Sequence, residues 1–65
     1  MKGKIKKIIE GRGFGFILLE DGSDIFFHRT ALIDVDINDL RYGDLVTFET
    51  ESSEKGLRAI KVTKS

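Results

Sequence analysis

Two short runs of alternating residues, joined by an Asp-Gly turn, constrain this chain more than any other feature in it. Gly13, Gly15, Ile17 and Leu19 fall on one side of the first run, with Phe14, Phe16 and Leu18 on the other. This is the period-two pattern of a strand with one buried face. After Glu20-Asp21-Gly22-Ser23, the run Asp24-Ile25-Phe26-Phe27-His28 alternates again. An Asp-Gly turn between two such runs is a hairpin signal, so the two strands are expected to pair antiparallel. If Ile17, Leu19, Ile25 and Phe27 point inward, then Phe14, Phe16, Phe26 and His28 must point outward on one shared face. The opposite facing would leave Ile17 and Leu19 outside, and these fill an interior far better than Gly13 and Gly15 do.

The remaining pattern is all-β. Lys4 to Ile9 is β-branched and ends at Gly11, which reads as a first strand. Leu45 to Thr50 reads as a fourth, with Val46 and Phe48 on one face. Glu51 to Gly56 reads as a polar turn, and Ala59 to Thr63 as a fifth strand with Ile60 and Val62 inward. The stretch from Thr30 to Leu40 breaks the alternation and is expected to be a long connection, with room for a helical turn near Thr30 to Ile33. Five short strands in a chain this small suggest a closed barrel, since closure alone removes exposed sheet edges. Strict alternation would turn Lys7 inward beside Ile5, and a bulge there would release it to solvent.

Sixty-five residues allow one domain, spanning residues 1–65, with a small core and no deep cavity. The absence of cysteine removes disulfides, zinc–thiolate sites and cysteine nucleophiles, and a single histidine removes multi-histidine metal sites. No metal or other cofactor is expected. The amino-terminal Met-Lys-Gly-Lys-Ile-Lys-Lys is followed by no apolar stretch suited to a signal peptide or a membrane span, which suggests a cytoplasmic, membrane-free protein. Net charge is zero, but the average conceals an asymmetry. Lys2, Lys4, Lys6, Lys7 and Arg12 face a lone Glu10 at the start of the chain, whereas Glu20, Asp21, Asp24, Asp34, Asp36 and Asp39 follow. One surface can therefore be basic while another is acidic.

Clustered outward aromatics mark an interaction surface, and the chemistry that suits them is the unstacked base, which lays its π-face on a ring. Lysines of the first strand would meet the phosphates. An enzyme is not expected. Gly11-Arg12-Gly13-Phe14-Gly15 lacks the Gly-Lys-Ser/Thr of a phosphate loop, and His28 has no nucleophile to serve. The remaining alternative is a protein-interaction barrel docking a partner chain on the same aromatic face.

Arg12-Gly13-Phe14-Gly15-Phe16-Ile17 and Ile25-Phe26-Phe27-His28-Arg29 resemble the paired ribonucleoprotein motifs of the bacterial cold shock protein family. Gly3-Lys4-Ile5-Lys6 is similar to the family's opening, Thr30-Ala31-Leu32 to the segment after its second motif, and Val62-Thr63 to its close. The likeness spans nearly the whole chain. It implies a five-stranded antiparallel oligonucleotide-binding barrel that grips single-stranded RNA or DNA as a monomer, melts weak RNA structure and works as an RNA chaperone or antiterminator. The binding residues it implies are Lys4, Lys6, Lys7, Arg12, Phe14, Phe16, Phe26, His28 and Arg29. The departures are equally specific. Lys6-Lys7-Ile8-Ile9 stands where the family usually has Lys-Trp-Phe-Asn, and Arg29 replaces the aromatic that closes the second motif. Ile37 corresponds to a further aromatic, and Leu57 to a proline. Two stacking platforms thus become cations, of which Arg29 keeps a planar group able to stack on a base.

Overall fold

The computed structural model describes residues 1–54 and 56–65, Glu10 by its backbone alone. Lys55, within the expected polar turn, and the side chain of Glu10 lie outside the described residues. The alternating runs form strands β1 (Lys2–Ile9), β2 (Phe14–Leu18), β3 (Asp24–His28), β4 (Leu45–Ser53) and β5 (Gly56–Lys64). They close into a barrel in the order β1-β2-β3-β5-β4. Single 3₁₀ turns cover Glu10–Arg12, Arg29–Ala31 and Ile37–Asp39. No helix among the described residues is long and apolar enough to cross a membrane.

β2 and β3 pair antiparallel as the turn signal implies, with Ile17 opposite Ile25 and Gly15 opposite Phe27. At the turn, the Ser23 hydroxyl and amide donate to Asp21 Oδ1 at 2.6 and 2.9 Å. These bonds, the hydroxyl's first, hold the Asp21 carboxyl below its ordinary pKa. One junction departs from the antiparallel expectation, because β3 and β5 run parallel, pairing Phe26 with Arg58 and Phe27 with Ala59. The reason is parity. A ring with an odd number of strands cannot have every neighbour antiparallel.

The core consists of Ile5, Ile17, Ile25, Phe27, Ile37, Leu40, Val46, Phe48, Ala59 and Val62. Two of these come from the long connection, which places Ile37 and Leu40 against the strands. Ile37 is buried, so the position corresponding to a family aromatic is a core position in this chain. Leu19 lies just past the end of β2 and is half-buried against the core.

The carboxy-terminal hairpin differs most from its sequence reading. β4 runs on to Ser53 and β5 begins at Gly56, so the expected polar turn from Glu51 is mostly paired strand, with Glu51 opposite Arg58 and Ser52 opposite Leu57. Ala59 rather than Ile60 is buried at the start of the inward set. The pairing steps by two residues on β4 (Thr47 to Glu49) and by three on β5 (Thr63 to Ile60). Lys61 takes a left-handed backbone conformation there, with φ 51°. The extra residue re-aims the strand, which lets Ala59 and Val62, three apart, face the same interior.

Candidate nucleic-acid interface

The outer face of β1, β2 and β3 is built from cross-strand pairs. Phe16 stands opposite Phe26, and Phe14 opposite His28. The three phenylalanine rings pack edge to face or tilted, with centroids 5.4 Å apart for Phe14–Phe26 and 6.1 Å apart for Phe14–Phe16 and Phe16–Phe26. Each is half-buried rather than fully exposed, because the rings shield one another. Beneath them the sheet is tight. A methyl group on Gly15 would sit 2.5 Å from the Lys7 carbonyl oxygen and 2.9 Å from the Phe27 ring. The glycine therefore lets Phe27 fill the interior directly under the aromatic strip.

β1 carries the irregularity that alternation alone would have missed. Ile5 pairs with Ile17 but Lys7 with Phe16, so Lys6 is an extra residue. This bulge places Lys7 opposite Phe16, on the aromatic face and exposed to solvent. Lys6 is engaged by Asp24, whose Oδ2 accepts from its Nζ at 2.9 Å, with both side chains nearly half exposed. Lys4 lies between Leu18 on β2 and Leu45 on β4. Arg12 closes the 3₁₀ turn before β2. Arg29 follows β3 directly, and its amide donates to the Gly13 carbonyl at 2.8 Å. Its Cδ lies 2.9 Å from where a Gly13 Cβ would stand. Among the described residues, no ion pair engages Lys4, Lys7, Arg12 or Arg29. His28 is oriented by the Thr30 amide, which donates to Nδ1 at 3.2 Å, so the neutral ring carries its proton on Nε2.

Sequence reasoning overlooked Arg58. It pairs with Phe26 across the β3–β5 junction, and its Nε and Nη2 donate to Glu51 Oε2 at 3.1 and 2.8 Å. A groove bordered by Phe26, Ser53, Leu57 and Arg58 continues the aromatic strip onto the β4–β5 hairpin. The signal was present as period two on β5, but the fifth strand had been started one residue too late.

This outer face, on a closed five-stranded barrel, agrees with a family model: the 'Cold-shock' DNA-binding domain matches residues 1–65. The chain belongs to the cold-shock domain family. It is 41% identical over 64 residues to the cold shock-like protein CspC of Shigella flexneri, covering 97% of this chain and 93% of that protein. To cold shock protein 1 of Lactiplantibacillus plantarum it is 40% identical over 60 residues, covering 92% and 91%. Among solved structures, Drosophila Unr CSD456 superposes with a TM-score of 0.75 at 28% identity, over 98% of this chain and 26% of that one. Cold-shock domains bind nucleic acid, and the oligonucleotide-binding barrel expected from the motifs is the fold found.

Proposed function

We propose that this cold-shock domain binds single-stranded RNA or DNA across β1, β2 and β3. Bases stack on Phe14, Phe16, Phe26 and His28, while Lys4, Lys6, Lys7, Arg12 and Arg29 meet phosphates. The observation that carries the reading is the cluster of three rings within 5.4–6.1 Å of one another, bordered by Lys7. Such a surface accepts successive bases through their π-faces with little regard for sequence. It suits an unpaired strand, because the bases of a duplex are stacked on each other. The domain would act in the cytoplasm as a monomer. By binding the open form of a weak RNA hairpin, it would shift that equilibrium by RT ln(1 + [L]/Kd), which is RNA chaperone or antiterminator activity.

The test is a titration of a labelled single strand, with a duplex of equal length as control, across a salt series. The single strand is expected to bind more tightly, and log K to fall with log salt by about 0.7 per phosphate neutralised. Lys7→Ala should lower affinity almost equally for pyrimidine-rich and purine-rich strands and flatten the slope by about 0.7. Lys6→Ala should change it less, since Asp24 already holds that ammonium. Binding that ignores salt would sink the reading and favour a protein partner on the same face.

A further inference from the structure

We infer that Tyr42 is a further base-stacking position, at the β1 edge of the strip beyond Lys7; the inference rests on the single-strand reading above. Tyr42 is the only tyrosine in the chain. It is 84% exposed, more than any other large apolar or aromatic side chain among the described residues. A singly exposed ring is ordinary in itself. Its placement is what carries the argument.

Arg41-Tyr42-Gly43-Asp44 is a β-turn closed by the Asp44 amide donating to the Arg41 carbonyl at 3.0 Å. The Arg41 amide donates back to Asp44 Oδ2 at 2.9 Å. Gly43 supplies the positive φ, 88°, that the third position of such a turn requires. The second position accepts most residues, so the turn itself has no need of an aromatic. The turn is also pinned to β1. Gly43 donates to the Ile5 carbonyl at 2.8 Å, and Ile5 donates to the Asp44 carbonyl at 2.9 Å. These bonds carry the β4 ladder, which pairs Lys4 with Leu45, one residue further along β1. Tyr42 thereby comes beside the stretch where Lys6 bulges and Lys7 pairs with Phe16.

Read across the strands, the order is Arg58, Phe26, Phe16, Lys7 and then the Tyr42 turn. With strands about 4.8 Å apart, that turn lies about 10 Å from the strand of Phe16, within reach of the same nucleic-acid strand. A base beyond the one held at Phe16 would find an aromatic face on a braced turn, with the Lys7 ammonium between the two for the linking phosphate.

The chain has no tryptophan, so intrinsic tyrosine emission reports residue 42 alone. The parent would be titrated with oligothymidylate of about 8 nucleotides, within the usual range for one such barrel, with free tyrosine amide as the optical control. Anisotropy of a labelled copy of the strand would measure binding independently. The expected result is quenching that follows the anisotropy isotherm. Tyr42→Ala should bind roughly five- to hundredfold more weakly with an unchanged salt slope, and Tyr42→Phe close to the parent. Thermal melts should coincide for all three. If the strand binds but emission is unchanged and Tyr42→Ala binds like the parent, the inference is overturned while the proposed function stands. If no single strand binds at all, both fall.

Discussion

Replacing Phe27 with alanine is expected to remove roughly 3–5 kcal/mol of stability. The side chain is fully buried, lies against Gly15, and belongs to the strand at which the barrel closes onto β5. Its loss removes the transfer energy of a whole ring and leaves a cavity that the barrel cannot collapse around, because Phe27 is paired on both sides. A domain of this size holds only about 5–10 kcal/mol in total, so half or more of its stability is at stake. At about 4–8 °C per kcal/mol, Tm should fall by roughly 12–40 °C. Denaturant melts of Phe27→Ala and the milder Phe27→Leu would check this. Near-parental stability in the alanine variant would show that the ring is not the centre of the core.

The opposite profile is expected when Phe16 and Phe26 are replaced together by alanine. Each ring offers a base platform of roughly 1–3 kcal/mol, so the double variant should lose about 2–6 kcal/mol of single-strand binding. Stability should fall much less, by about 1 kcal/mol for the lost edge-to-face contacts of half-buried rings. No charge is removed, so the salt slope should stay at the parental value. Binding that survives the double change would mean that bases contact some other surface. A lysine variant with the reverse pattern, weaker and with a shallower slope, would separate stacking from phosphate attraction.

The hairpin at the heart of the site was legible because each of its strands has one wet and one dry face. Period two then fixes the side of every residue from Phe14 to Leu18 and from Asp24 to His28. The Lys7 position was legible only as a conflict, a lysine falling on an inward beat, which the bulge at Lys6 resolves. The β4–β5 hairpin was misread because Glu51 to Ser53 and Gly56 to Arg58 are exposed throughout. Their pairing rests on the backbone ladder and the Glu51–Arg58 ion pair, which leave no apolar rhythm in the sequence. The parallel β3–β5 contact joins residues far apart in the chain, although the count of five strands already required one such junction. Arg58 and Tyr42 stayed unseen for related reasons: one follows a mislocated strand start, and the other sits on a turn whose neighbour across β1 no local pattern names.

The place where the ring shuts has its own consequence. On the outside of the β3–β5 closure lie Phe26 and Arg58, and on the inside Phe27 and Ala59. A strand of nucleic acid resting on Phe26 and reaching Arg58 would straddle this seam like a clasp. Unzipping the seam, which bares two raw edges and the Phe27 ring to neighbouring molecules, would first demand release of the clasp and so become rarer by the factor 1 + [L]/Kd. Amide exchange at Phe27 and Ala59 would slow accordingly. Cargo and container then guard one another: the barrel keeps an RNA from folding back on itself, and the RNA keeps the barrel from coming undone.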